Sequence, residues 1–342
     1  PKPYENWQKA LDAYTKVLPD SPKTPRLTYK SAELTYRFLH FDEARKRFEG
    51  IYDKYCKDPM GKNAGDAILV TYQLEKNQEK MLEWARKLQK SKCGGAAAAG
   101  QKGGTNLGSL IEGLEFKLAE KLMKQGKYKE ASNEYLKFVD KYPKSDDADK
   151  ALNNAAVAVE KDKSFESASR LYERLWQDYP DSPNAFNALW RTAINYQKFF
   201  EFDKAVSRFL SLVQSTKYKP STDEERKNRI SAMWNAAQIL ENDQDYAKAV
   251  KWFLRYATEK GTSKEAADAY FKAGLIYKKM GDVNGMMRIF KEFPRRYGSV
   301  AKQERRIVEG MFRIAEFYHK ERNDWRKAST YYKQTIDQWK RY

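Results

Sequence analysis

Two histidines, two cysteines and one glycine-rich stretch are the residues of this 342-residue chain with the most chemical potential. A zinc site built only from His and Cys would need His40, His319, Cys56 and Cys93 together. The two histidines are 279 positions apart, and no Ser or Cys has a nearby His in a nucleophile spacing. The stretch Gly94-Gly-Ala-Ala-Ala-Ala-Gly-Gln-Lys-Gly-Gly104 resembles a phosphate loop only superficially. Gln101-Lys102 follows Gly100 where that loop requires Lys then Ser or Thr, and no hydrophobic strand precedes it. No catalytic, metal-ligating or cofactor-binding residue is therefore assigned, no cofactor is expected, and the chain is read as a non-enzyme. What it binds is the useful question.

Charge bears on that question first. Lys and Arg number 65 against 47 Asp and Glu, a formal +18, while 8 Trp, 23 Tyr and 17 Phe exclude a disordered chain. The basic residues are mostly lysine and are spread along the chain, with no nucleic-acid motif, so nucleic acid is disfavoured as a partner. The densest cluster is Arg288, Lys291, Arg295, Arg296, Lys302, Arg305 and Arg306. No run of 18 uncharged apolar residues occurs, so membrane association would need an anchor outside this sequence or a partner. Pro1-Lys2-Pro3 is neither an initiator Met nor an apolar leader, and is read as a processed or excised start.

The elements that would position a site are set by a repeat. The motif aromatic-x-x-Ala-x-x-x-aromatic occurs at Trp7/Ala10/Tyr14, Phe41/Ala44/Phe48, Tyr128/Ala131/Tyr135 and Phe165/Ala168/Tyr172. It returns at Phe202/Ala205/Phe209, Tyr246/Ala249/Phe253 and Trp325/Ala328/Tyr332, with degenerate copies at Met81 and Met286. The nine anchors are spaced by 34, 37, 50, 37, 37, 44, 37 and 42 residues. Twelve positions before most of them stands a second small residue: Ala32, Ala119, Ala156, Ala193, Ala237 and Gly274, with Ala315 thirteen before. Pro22, Pro143 and Pro180 lie twelve after their anchors and stop the second helix. Each unit reads as helix A, a short turn and helix B, drawn together by small residues. The expectation is an all-α, right-handed superhelical solenoid of antiparallel helix pairs, about seven to nine repeats long.

This pattern resembles the tetratricopeptide repeat family, whose small, Ala, aromatic and Pro positions are matched by Ala119/Ala131/Tyr135/Pro143 and Ala156/Ala168/Tyr172/Pro180. The common period here is 37 where the family has 34. The endings Lys141-Tyr-Pro-Lys-Ser145 and Asp178-Tyr-Pro-Asp-Ser182 resemble those of bacterial cell-envelope members. That resemblance implies a periplasmic or envelope-associated scaffold, with a cytoplasmic one as the alternative. Three organisational segments are expected: repeats over 1–93, a flexible loop or hinge over 94–106, and a second array over 107–342. A longer connection at 217–225 ends in helix-capping chemistry, and a third insertion is short and basic at 298–306.

Two finer patterns suggest a partner surface. Five positions after the helix A small residue stand Arg37, Lys124, Lys161, Lys198, Asn242, Lys279 and Lys320; counting Leu74, six of eight are basic. Three positions before it stand Tyr29, Phe116, Asn153, Trp190, Trp234, Phe271 and Phe312. The family resemblance implies that these offsets line a concave groove. The candidate groove residues are Phe116, Lys124, Lys161, Trp190, Lys198, Trp234, Phe271, Lys279, Phe312 and Lys320, facing a protein or peptide of acidic character. The competing reading gives the lysines to the helix dipole and the aromatics to packing. The family's clamp for C-terminal carboxylates needs Asn after the small residue, where Val157, Ile194, Gln238, Leu275 and Glu316 stand. A basic adaptor for nucleic acid or another polyanion is the alternative function. Cys56 and Cys93, each twelve past an anchor, occupy equivalent turns, so a disulfide is expected only in an oxidising compartment.

Overall fold

The computed structural model describes residues 4–91 and 106–341. Among them are seventeen helices and no strand. The chain divides into two compact units, Pro1–Ala158 and Val159–Tyr342, with the boundary inside one helix. The first unit begins with a lone helix B, α1 (Glu5–Val17). It continues as three pairs: α2 (Thr24–Arg37) with α3 (Phe41–Lys54), α4 (Pro59–Leu74) with α5 (Gln78–Lys90), and α6 (Leu107–Lys124) with α7 (Tyr128–Lys141). Helix α8 (Ala148–Lys161) carries the boundary. The second unit runs through α9 (Phe165–Asp178), then α10 (Ala185–Lys198) with α11 (Phe202–Gln214) and α12 (Asp223–Asn242) with α13 (Tyr246–Lys260). It ends with α14 (Lys264–Lys279) and α15 (Val283–Tyr297), then α16 (Glu304–Lys320) and α17 (Trp325–Arg341). The solenoid of helix pairs and the number of repeats are as the periodicity predicts. The expected 94–106 loop lies, except for Asn106, outside the described residues, as does Cys93.

Small residues do what their spacing implies. Ala32, Ala119, Ala156, Ala193 and Ala237 are fully buried, as are the anchors Ala44, Ala131, Ala168, Ala205 and Ala249. Where the small residue is Gly274, an added Cβ would come within 2.6 Å of the Phe290 ring. The core is a cluster around Phe48, Ile68 and Trp84 in the first unit and one around Phe209, Phe253 and Phe290 in the second.

The turn from helix A to helix B is built the same way each time. A residue with positive φ follows helix A: Leu39, Lys76 and Gly126, then Lys163, Phe200, Gln244, Gly281 and Asn323. At six of these turns the next backbone N–H reaches back five residues to a helix carbonyl, as from His40 to Thr35 and from Glu201 to Tyr196, at 2.9–3.1 Å. That bond closes carbonyls that the helix end leaves unmatched. The Tyr-Pro-x-Ser endings also have a mechanical role. The Ser145 and Ser182 hydroxyls accept bonds from the backbone N–H of Asp147 and Asn184, so each tightens the entry to the next helix A. The connection before α12 ends in a capping box, with Thr222 and Glu225 each accepting the other's backbone N–H.

The helix A face as the candidate partner-binding surface

The helix A aromatics meet partners within their own repeats. Tyr29 lies against Phe48, Phe116 against Tyr135, Trp190 against Phe209, Trp234 against Phe253, Phe271 against Phe290 and Phe312 against Tyr332. Ring centroids are 5.2–5.8 Å apart, the separation of tilted and edge-to-face pairs. In each case the residue three before the small position of helix A meets the one four past the anchor of helix B. The pair clasps the two helices of one repeat. Phe271 is buried among Phe290 and Phe293, so it is a core residue and not a groove anchor. Phe116, Trp190 and Trp234 are half-buried and Phe312 is exposed. Trp234 shares a small cavity of about 210 Å³ with Ser231, Asn235, Tyr256, Glu265 and Asp268.

The lysines also have partners, in neighbouring repeats. Glu160, at the end of α8, accepts from Lys198 at 3.1 Å, from Arg191 at 2.7 Å and from the Tyr172 hydroxyl at 2.9 Å. Glu241 on α12 is held by Lys279 at 3.1 Å and Lys272 at 2.8 Å. Both carboxylates stand four past the helix A small residue, and their cations stand two before and five after the next one. The same register thus recurs 81 residues on. In the last repeats the direction is reversed: Glu316 on α16 takes Lys278 at 3.1 Å from the preceding helix A, and Lys320 at 3.0 Å from its own. Lys198 also lies over the Phe165 ring and Lys279 over that of Tyr246, at 4.7 and 5.8 Å. Lys124 and Lys161 are exposed at the ends of α6 and α8.

These carboxylates are perturbed as their surroundings require. Burial would raise the Glu160 carboxyl, but Lys198, Arg191 and Tyr172 overcome it and hold it below its ordinary range. Glu241 is likewise lowered by Lys272 and Lys279 against its burial. Glu316 is brought down to about 2 by hydrogen bonds from Lys320 and Lys278. Tyr172 is pushed up by burial and by the Glu160 charge. None of this assembles a reaction centre. Among the described residues no group of three His, Cys, Asp or Glu could hold a metal ion. The carboxylate hubs were missed in the sequence, although a signal was there: Glu four past the small residue, with a base 31 and 38 positions later.

Cys56 is half-buried just after α3, while Cys93 is outside the described residues. Among the described residues no helix is long and apolar enough to cross a membrane.

Known proteins place the repeat. Residues 116–183 and 268–299 each match a sequence profile described as tetratricopeptide repeat. No curated protein matches the chain. Among solved structures, BtubC from P. vanneervenii aligns at 14% identity over 64% of this chain and 90% of its own, with a TM-score of 0.36. MamA from Desulfovibrio magneticus RS-1 aligns at 14% over 57% and 97%, with a TM-score of 0.35. YrrB, described as a TPR protein with an unusual peptide-binding site, aligns at 15% over 54% and 86%, at 0.36. The chain carries tetratricopeptide repeats.

Proposed function

We propose that this chain is a non-enzymatic scaffold that holds a peptide or helix of another protein against the helix A face, in a bacterial envelope complex serving assembly, secretion or motility. Tetratricopeptide repeats generally serve protein–protein interaction and not catalysis, which supports the class of function. One observation carries the choice of face: the recurrent hub. Each of Glu160 and Glu241 is recessed beneath two cations, so every hub keeps one surplus positive charge on its outer side. A partner with carboxylates fits that surplus better than a basic one. The surplus alone would also suit a polyanion; the protein reading is preferred because tetratricopeptide repeats generally serve protein–protein interaction.

The test begins with a partner captured by the intact chain and identified by mass spectrometry. Lys198→Glu and Lys279→Glu should then slow its association and flatten its salt dependence, since exposed charges act mainly on encounter and salt screens the attraction they supply. Lys137→Glu and Arg170→Glu, on helices B, should leave binding unchanged. The reverse outcome would move the partner off the helix A face. The envelope assignment rests on the Tyr-Pro-x-Ser endings, and with it goes a proposed Cys56–Cys93 pairing. Intact mass after alkylation without reductant should show no added alkyl group; two added groups would remove the pairing.

A further inference from the structure

We infer, resting on the helix A face as the partner-binding surface, that the cavity beside Trp234 takes the guanidinium of an arginine carried by the bound peptide. The cavity holds about 210 Å³ and lies within the second unit. Helix α12 supplies Ser231, Trp234 and Asn235, α13 supplies Tyr256, and α14 supplies Glu265 and Asp268. It is smaller than the roughly 300 Å³ at which pockets for drug-sized ligands begin, so a single side chain suits it better. Two walls are rings, Trp234 and Tyr256, with centroids 5.2 Å apart and planes at 53°. The formal charges among the lining residues are the two carboxylates. Aromatic faces edged by carboxylates attract a cation through both.

The chain's own groups do not satisfy the site. Among the described residues the Tyr256 hydroxyl has no hydrogen-bond partner, although Tyr256 is only 7% exposed and lines the cavity. Burial, with the charges of Glu265 and Asp268, pushes this phenol up, so it stays neutral. Asp268 accepts from Arg306, whereas Glu265 makes no ion pair among the described residues. Lys260 and Lys272 lie over the Tyr256 and Trp234 rings at 5.9 and 5.7 Å, so both rings already receive cations. Neither lysine lines the cavity, and Lys272 is held by Glu241 at 2.8 Å. A guanidinium meets the lining better than an ammonium does. Its plane stacks on a ring while its N–H fork donates to carboxylate, amide and hydroxyl oxygens.

Around Trp190, the other tryptophan at this helix A offset, the corresponding residues are Leu212, Asn228 and Ser231, with neither phenol nor carboxylate. The cavity also has a fixed relation to the Glu241 hub. Asp268 precedes Lys272 by four residues on α14, and Trp234 precedes Glu241 by seven on α12. At a helical rise of about 1.5 Å per residue that is ~6–10 Å, the span of two or three extended peptide residues. The acidic cavity and the hub's surplus cation together select a segment with an arginine two or three residues from an Asp or Glu.

The probe is the capped tripeptide acetyl-Ala-Arg-Ala-amide, titrated into the intact chain. Binding is followed by the indole N–H resonance of Trp234, identified through Trp234→Phe. That resonance should shift saturably, and the tripeptide with citrulline, a neutral isostere of arginine, should bind roughly tenfold more weakly. Glu265→Gln should weaken the arginine tripeptide about threefold while helix content stays unchanged. No saturable shift, equal binding of the citrulline tripeptide, or indifference to Glu265→Gln overturns the site. A lysine tripeptide that binds as tightly as the arginine one overturns the guanidinium as its occupant. These titrations need no captured partner, so their failure removes the cavity alone, while Lys198→Glu and Lys279→Glu judge the helix A face separately.

Discussion

Phe200 combines two unfavourable features. Its φ of 70° is in the left-handed region, which costs a residue with a Cβ roughly 1–2 kcal/mol, and its ring is 77% exposed. Equivalent turns use Gly126 and Gly281, polar Lys76, Lys163, Gln244 and Asn323, or the smaller apolar Leu39. Its contact with Phe202 is the main packing lost on truncation. Phe200→Gly should therefore raise stability by about 0.5–1 kcal/mol after the extra freedom of glycine in the unfolded chain is counted. Denaturant titration should show a higher midpoint and an unchanged slope; a lower midpoint would mean that the ring packs more than its exposure indicates. Asn195 poses the opposite problem. It is fully buried on α10; its amide donates to the Arg191 carbonyl, and its Oδ1 accepts no hydrogen bond. The same position is Ile239 on α12 and Ile276 on α14. An unmatched buried acceptor costs about 1–3 kcal/mol, so Asn195→Leu should be neutral or stabilising in the same titration.

Helix pairs show what the sequence disclosed and what it hid. Spacing of small and aromatic residues was sufficient for the helices, their pairing and the turns, because those depend on contacts within about 37 residues. The side-chain roles were harder. Trp234 and Phe271 occupy one offset, yet only Phe271 is buried. The lysine ladder was visible as a charge pattern, but the Glu that Lys198 and Lys279 meet stands on a neighbouring helix A, out of reach of composition. Trp234 tests the aromatic clasp. Its ring packs against both Phe253 and Tyr256, each at 5.2 Å between centroids. Trp234→Ala should cost about 3 kcal/mol, near the low end for an aromatic removed from a core. Trp234→Phe, which keeps a ring on Phe253, should recover most of it. A Trp234→Ala variant that melts with the parent chain would free the residue for partner contact alone.

Charge acts on the molecule as a whole, through the formal +18 at neutral pH and through carboxylates that anchor neighbouring helices. Glu160, Glu241 and Glu316 all have folded-state affinities for protons below the ordinary 4.5. For a carboxylate lowered on folding, the stabilisation is complete above its unfolded value and is lost as pH falls through the folded one. Stability should thus hold from neutrality to about pH 4.5 and then decline toward the value of about 2 that Glu316 reaches. Protonation simultaneously removes negative charge, so the net charge climbs toward that of all 65 Lys and Arg. The two mechanisms differ in their response to salt. Self-repulsion between surface charges is screened within roughly 10 Å at 0.1 M, whereas the hub contacts are short and their carboxylates mostly covered. Raising salt from ~10 to ~150 mM should therefore move the midpoint of acid unfolding, followed by helical circular dichroism, to lower pH. Glu241→Gln should move it to higher pH at both salt concentrations, by leaving Lys272 and Lys279 without their shared carboxylate. If salt instead moves the midpoint upward, the exposed ion pairs outweigh the repulsion, and the hubs are not the contacts on which acid stability depends.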